Sequence, residues 1–353
     1  MAATSYGVNH PLAVKVWAKK LFQEALAETY VKRFMGSGTT SLVQVKSELN
    51  KSAGDKITYG LRMQLTGDGI SGDSTLEGNE EALSTYSDSI LIDQLRHAVR
   101  SGGKMSEQRV PFSVREEARE GLTDWWANRI DTWFFNALGG NTVVGDTKLT
   151  GMNTATAPTT KIVVTGWNGT DEDSLSTTSL MSLAAIDYAV EKAKVMAPLM
   201  RPIRVDGKPM YVCFMHPYQV TDLRTNTNTG QWLDIQKAAM QGGRESDNPI
   251  FTGALGVYNG VVLHESNRVP QGITNAGAYK ASSRRAIFAG AQAACFASGP
   301  QGGTEMDWTE ELFDYKNQLG VAAGLIGGLK KTVFNSADFA TIVIPTYAAA
   351  HGA

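Results

Sequence analysis

The chain has 353 residues, a formal charge of −2, and 19% charged and 8% aromatic residues. That length supports a large core and two or three subdomains. The near-neutral balance argues against affinity for nucleic acid built on a basic surface, which needs concentrated Lys and Arg, and against an acidic disordered chain.

In chain order, residues 1–54 read as an arm. A helix is predicted from about Leu12 to Met35, with Val16, Trp17, Leu21, Phe22, Leu26, Tyr30 and Phe34 on one side. Gly36-Ser37-Gly38 stops it, and Val43 and Val45 mark a short extended piece. One amphipathic helix far from a core requires a partner surface, on its own chain or a neighbour. Lys56 to Leu65 then alternates as a strand does. Gly67–Asp73 is rich in turn residues, Glu77-Gly78-Asn79-Glu80-Glu81 is an acidic knot, and Thr85–Arg100 returns. The return is partly a strand (Ser89–Ile92) and partly a basic piece carrying Arg96, His97 and Arg100. Together they predict a long hairpin, which is not stable alone in water and must lie on something else.

The strongest local signal runs from Ser113 to Leu138. Ser113 and Glu116 have the spacing of a capping box. Val114, Ala118, Leu122, Trp125, Ile130, Trp133, Phe134 and Ala137 recur at three- and four-residue intervals and form one apolar stripe. Gly139 and Gly140 supply the left-handed stop. At 1.5 Å per residue the rod is roughly 39 Å long. Arg115, Glu116, Glu117, Arg119, Glu120, Asp124, Arg129 and Asp131 are assigned to the wet face. The aromatics as a group read as core rather than a ligand stack, and Trp126 and Phe135 fall beside the stripe, where a neighbour's hairpin could cover them.

After the rod, residues 141–170 are rich in Thr, Gly and Asn and read as loops with a strand at Lys161–Thr165. A second helix is predicted over Ser174–Met196, buried through Leu180, Leu183, Ala184, Ile186, Ala189, Val190 and Ala193 and ended by Pro198 and Pro202. Met210–Met215 reads as a buried strand, Tyr218–Arg224 as a short helix and Trp232–Gln241 as a polar one. Gly253–His264 is a turn and then a strand, and Arg285–Phe296 is one more strand. Leu319–Ile326, Lys331–Phe334 and Ala340–Ile344 end the β-rich tail at Pro345. The class is α+β, with no internal repeat and no linker long enough to free a domain.

No residue pattern calls for catalysis or a cofactor. His10, His97, His216, His264 and His351 lack metal spacing, and no GxSxG, Walker A or GxGxxG motif occurs. Gly67–Asp73 lacks acids at the alternating positions of a calcium loop. Asp171-Glu172-Asp173 is read as the charged lead-in to a helix N-terminus. Cys213 and Cys295 stand in apolar runs as buried free thiols, without a CxxC pair. No leader pattern and no apolar run of ~18 residues appears, so export and membrane spanning are not expected, and a reducing cytoplasm is.

Arm, long hairpin, very long helix, α+β lobe and returning strands resemble the part order of tailed-phage major capsid proteins with the HK97-like fold. The wording is similar to the N4-like phage family in particular. The residues that carry the resemblance are Ile57-Thr58-Tyr59 to Leu65, Thr75 to Glu81, Asp93-Gln94-Leu95-Arg96-His97-Ala98-Val99 and Ser106-Glu107-Gln108-Arg109. The resemblance implies an N-arm over 1–54, an E-loop over 55–105, a spine helix and first part of the peripheral (P) domain over 106–172, an axial (A) domain over 173–299, and return strands with a C-terminal tail over 300–353. Many such proteins carry an N-terminal scaffolding segment that a maturation protease removes; here the arm begins at once, which counts against that step.

The resemblance further implies a self-assembling icosahedral shell of pentamers and hexamers around double-stranded DNA. Its partners are a portal and a scaffold or decoration protein, its place is the virion capsid after synthesis in the host bacterial cytoplasm, and no membrane is involved. Within that reading Glu77, Glu80 and Glu81 are expected to meet basic residues of an adjacent subunit, with Arg96, Arg100, Lys104, Arg109, Arg115 and Arg119 as candidates. The plain alternative is a solvated loop tip. Two other functions stay open at this point, an encapsulin-type shell around protein cargo and a soluble α+β ligand-binding protein.

Overall fold

The rod forms as one helix, α1, over Val114–Leu138. The Ser113 hydroxyl accepts the Glu116 N–H at 3.4 Å, so the serine half of the predicted cap is made. At the other end Gly140 takes φ +60°, Gly140 N donates to Ala137 O at 3.3 Å and Asn141 N to Asn136 O at 2.9 Å. This is a Schellman stop, and only glycine fits: a Cβ at position 140 would lie 2.7 Å from Thr156 O.

The computed structural model describes residues 29–46, 55–62, 65, 67–83, 85–111, 113–163, 171–196, 198–205, 207–225, 254–299 and 307–351. The predicted helix 12–35 lies mostly outside them, and the polar helix 232–241 lies wholly outside them. Where the first of these enters the described residues, Tyr30–Phe34 is a 3-10 turn and Met35–Gly36 a short strand, so the helix does not run to Met35.

Two sheets flank α1. The first has six strands, with Gln318–Lys331 as its axis. Asp93–Arg100 pairs along one edge of that axis, while Asp307–Phe313 and Ala294–Ser298 share the other. Val43–Lys46 continues the sheet in parallel from Ala294–Ser298, and Met35–Gly36 closes it. The second sheet has seven strands. Its centre is Tyr279–Ala289, flanked by Lys208–Met215 and by Thr341–Tyr347; Val261–Glu265 pairs with Lys208–Met215 in parallel. Pro345 therefore stands inside a strand instead of ending one. It is tolerated because Thr341–Tyr347 is an outer strand whose far side is met by loop backbone at Val343 and Tyr347, which donate to Thr160 O and Ser179 O, and not by a strand partner at 345.

The main core lies between these sheets and α1. Phe214 meets Phe134 at 5.5 Å and Phe135 at 5.6 Å, ring centre to ring centre, both edge-on. Trp126 and Phe135, placed beside the stripe by the sequence, are both fully buried in their own chain and unavailable to a neighbour's hairpin. The correction has a physical cause. A helix that contacts the six-stranded sheet, the Tyr30–Phe34 turn and the Thr147–Leu149 turn at once buries more than one stripe. Asp131, assigned to the wet face, is buried for the same reason.

Other boundaries moved as well. The second helix, α2, spans only Leu183–Val195; Glu172–Ser174 is a separate 3-10 turn, and Leu180 is exposed. The predicted strand 285–296 is two strands, Tyr279–Ala289 and Ala294–Ser298, which belong to different sheets. Conversely Leu319–Ile326 is part of a single 14-residue strand. Helix α3 forms over Pro217–Thr225 as expected.

Candidate assembly surfaces

The predicted hairpin forms from Lys56–Arg62 against Thr85–Leu91, in the register Lys56 to Leu91 and Arg62 to Thr85. Its basic continuation, Asp93–Arg100, does not extend the hairpin but inserts into the six-stranded sheet. The root is anchored by polar contacts. Asp88 accepts Lys330 Nζ, the Tyr59 hydroxyl at 3.0 Å and Val333 N at 3.1 Å, and Lys330 Nζ also reaches Ser89 O at 2.9 Å. Asn153 bonds both backbone groups of Leu91. Beneath it the strand 318–331 carries glycine at 328, where a Cβ would stand 2.2 Å from Leu91 O. The missing side chain at Gly328 is thus the space the hairpin root occupies.

The far end of the hairpin is different. Every described residue from Gly67 to Leu83 is exposed except the half-buried Ile70, and Leu65, Leu76 and Leu83 are among the exposed large apolar side chains. Glu80 accepts Gly78 N at 2.8 Å and Glu81 accepts Gly67 N at 2.7 Å, so these two carboxylates brace the loop from within. Glu77 is exposed beside them.

The basic candidates occupy several environments. Arg100 hydrogen-bonds Gln318 and lies over the Phe313 ring at 4.4 Å. Arg115 forms an ion pair with buried Glu310 at 2.7 Å, and Glu310 also accepts Trp308 Nε1 at 2.9 Å. Both cations therefore have work inside their own chain. Lys104 and Arg109 bracket the short helix 104–108 with exposed side chains, and Arg119 is half-buried on α1. Arg96 is exposed and lines a groove with His97, Trp125, Arg129 and Lys148. There His97 stacks on Trp125 at 4.4 Å and 17°, and the Arg129 guanidinium sits 4.8 Å from the same ring.

Three buried polar nodes escaped the sequence reading. Asp131 accepts Tyr30 N at 3.2 Å and Val31 N at 3.1 Å, pinning the arm to α1. Burial pushes its carboxyl pKa up, and those two N–H groups and Arg268 pull it back. Arg285 grips Glu172 through Nη2 at 2.7 Å and gives Nη1 to the two glycine carbonyls just past α1, Gly139 O at 3.1 Å and Gly140 O at 2.8 Å. Lys161 adds a second cation at 2.9 Å and Ile273 N donates at 2.9 Å. Burial alone would raise the Glu172 carboxyl; the Arg285 bonds and charge, with Lys161 and Ile273, hold it below the ordinary range. Lys331 pairs with Asp338 at 2.7 Å, and burial draws the lysine down despite that partner. The signal for the second node was the Asp171-Glu172-Asp173 run, of which only Asp171 caps a turn, accepting Asp173 N at 2.8 Å. For Arg285 the signal was a cation in an apolar strand.

Cys213 and Cys295 are both buried, and burial pushes the Cys213 thiol up to about 12. Among the described residues no three His, Cys, Asp or Glu side chains are placed to hold a metal, and no helix is long and apolar enough to cross a membrane.

Comparison with known proteins gives one consistent result. A protein-family profile described as phage capsid protein matches residues 5–350. The major capsid protein of Pseudomonas phage KPP25 is 29% identical over 369 residues, which is 95% of this chain and 94% of that one. Among solved structures, the capsid of Ralstonia phage GP4 is 36% identical with a TM-score of 0.80, over 100% of both chains. The capsid of Cyanophage Pam1 has a TM-score of 0.70 at 19% identity, over 92% of this chain and 93% of its own, and speaks for the α+β, HK97-like fold alone. The chain belongs to the phage capsid protein family.

Proposed function

We infer that this chain is the major capsid protein of a tailed phage, a structural subunit and not an enzyme, whose copies form the head shell. We propose that neighbours associate by laying the 55–105 hairpin over an adjacent subunit's 106–172 and 300–353 regions, by exchanging the 1–54 arm, and by meeting through 173–299 around five- and six-fold axes. Such contacts repeat heterologously around a ring and then close into a shell. The family relationship favours this reading over a protein-cargo compartment or a ligand-binding monomer.

The observation that carries the assembly reading is the hairpin itself. Its root is clamped by Asp88, Lys330 and Asn153, yet its tip is exposed with Leu76 and Leu83 in water. A hairpin whose far end packs on nothing in its own chain offers that length to a neighbour. A near-neutral wall also suits enclosed double-stranded DNA, which requires no sequence-specific contact. Portal and scaffold or decoration proteins complete the proposed partner set, with synthesis in the bacterial cytoplasm.

Expression of the chain alone, followed by light scattering and negative-stain imaging, tests the shell. Rings of five and six or closed particles are expected. A monodisperse monomer that stays monomeric after addition of lysate from infected cells overturns the reading.

A further inference from the structure

Helix α3 is seated on the second sheet by a polar stripe. Gln219 is fully buried; its Nε2 donates to Thr346 Oγ1 at 2.6 Å and to Arg284 O at 3.2 Å, and its Oε1 accepts His216 N at 3.0 Å. Three residues on, Asp222 lies on the same side of the helix with its side chain 4% exposed. Val220 and Leu223 supply the apolar part of the seat. Hydrogen bonds that exchange with water hold only modestly, so the C-terminal half of α3 depends on what meets Asp222.

Residues 348–351 meet it. The strand Thr341–Tyr347 runs beside Tyr279–Ala289 as far as the pair Ser283 and Tyr347, and Ala348 N then donates to Ser282 O at 2.8 Å. Beyond the buried Ala348 the chain leaves the strand with Ala350 exposed. The His351 ring returns to α3, its Nε2 lying 2.8 Å from Asp222 Oδ1. His351 is 44% exposed, whereas Asp222 Oδ2 is buried and takes no hydrogen bond. Burial raises the Asp222 carboxyl and His351 pulls it back.

Asp222 is the only acid on α3, Tyr279–Ala289 and 341–351. The cations around it have other tasks. Arg284 gives Nη1 to Ala281 O and Ser283 O and lies over the Tyr218 ring, and Arg285 holds Glu172. Lys280 Nζ donates to Glu172 O, Asp173 O and Leu175 O, and Arg224 closes the end of α3. His216, lowered to about 4, is neutral where an ordinary imidazole titrates. Tyr279 and Tyr347 are the remaining titratable groups of these elements.

We propose that residues 348–351 are a strap across α3 and that the Asp222–His351 contact is its clasp, operated by a proton. The inference concerns a single chain and does not rest on the shell reading. With the ring protonated, its charge compensates a buried carboxylate. With the ring neutral, Nε2–H still donates, but the buried negative charge is left without a counter-charge. Protonation therefore favours the closed strap, which holds at lower pH and loosens as pH rises through the range in which imidazole changes charge. The sign is opposite to that of His216 and His264, whose protonation opposes folding.

Hydrogen exchange read by mass spectrometry on the full chain, corrected for the intrinsic pH dependence of exchange, tests the strap at about pH 6 and about pH 8, either side of the imidazole value. Protection of the Ala348 amide and of Asp222–Thr225 is expected to fall about fivefold from the lower pH to the higher, the difference between a charged and a neutral hydrogen bond. Helix α1 should keep its protection. His351→Gln retains a neutral donor and should show the lower protection at both pH values. Asp222→Asn removes the charge and should abolish the pH dependence, with Gln219, Val220 and Leu223 still seating the helix. Unsubstituted protein whose protection at Ala348 and α3 does not change with pH overturns the proposal, as does a pH dependence that survives His351→Gln. A loss spread equally over α1 also overturns it, because it reports the whole subunit instead of the strap.

Discussion

Asn153 holds both backbone groups of Leu91. Its Oδ1 accepts Leu91 N at 3.0 Å, and its Nδ2 donates to Leu91 O at 3.1 Å and to Gly151 O at 3.1 Å. One amide thereby substitutes for a strand partner at the point where the hairpin leaves the body, over a position that only glycine can fill at 328.

Asn153→Ala leaves the Leu91 N–H and carbonyl without these partners in a half-buried site. The expected cost is about 1–3 kcal/mol, the usual range for an orphaned backbone polar group. Denaturant unfolding measures it, and hydrogen exchange should rise at Leu91 and Ile92 before it rises in α1. Uniform exchange across both would refute a local clamp.

Arg285 joins Glu172 to the end of α1, with all three partners buried. Arg285→Met strands an ionised glutamate beside Lys161 alone and is expected to destabilise by about 3–5 kcal/mol. Adding Glu172→Gln removes the stranded charge and should recover part of the loss. A double-mutant cycle in urea reads the coupling, and strict additivity of the two substitutions would show that they do not act as a pair.

Acid should weaken the subunit through two histidines. Burial, with Arg33 near His264 and Arg284 near His216, lowers both from 6.5 to about 4. His216 Nδ1 accepts Tyr218 N at 3.2 Å, a bond that only an unprotonated nitrogen can make. A lowered folded pKa means the unfolded chain binds more protons below pH 6.5, so this stability is complete above 6.5 and is lost as pH falls towards 4. Glu172, held below the ordinary glutamate range, contributes stability that is complete above the unfolded glutamate value and is lost as pH falls through its lowered folded value. His264 lies among Phe34 at 5.3 Å, Phe214 at 5.9 Å and Tyr30 at 6.0 Å, an aromatic setting that accepts His264→Phe. That variant should flatten part of the acid limb in pH-dependent thermal melts, while an unchanged limb would exclude His264 as a source.

Asp131 is the arm's anchor. Asp131→Ala removes a carboxylate that accepts two consecutive N–H groups, a loss of about 1–2 kcal/mol by analogy with N-cap deletions. The backbone amides of Tyr30 and Val31 should exchange faster and the arm should become accessible to protease. Protection unchanged at both amides would place the anchor elsewhere, in the Tyr30 and Phe34 ring contacts.

Much of this protein is decided locally. The helix from Ser113 to Gly140 needs only a cap, a three-and-four spacing and two glycines, and all three act within a few residues of one another. The outgoing hairpin strand from Lys56, the thiols and the strand at Met215 are legible for the same reason, and the returning strand in part, as Ser89–Ile92 against the observed Thr85–Leu91. The part order also sufficed to place the chain in its family. What needed the folded chain was every assignment that depends on distance in sequence. Trp126 and Phe135 look peripheral on a helical wheel because a wheel has one wet side, whereas α1 is covered on several. Asp131 reads as a wet-face charge, Glu172 as a helix lead-in and Arg285 as the start of a strand, until residues 100 to 146 positions away supply their partners. Strand 285–296 could not be divided from its wording, since both halves are apolar and only the sheets they join differ. Local chemistry set the elements; burial from several directions at once, which no single stretch encodes, set which faces and which charges they enclose.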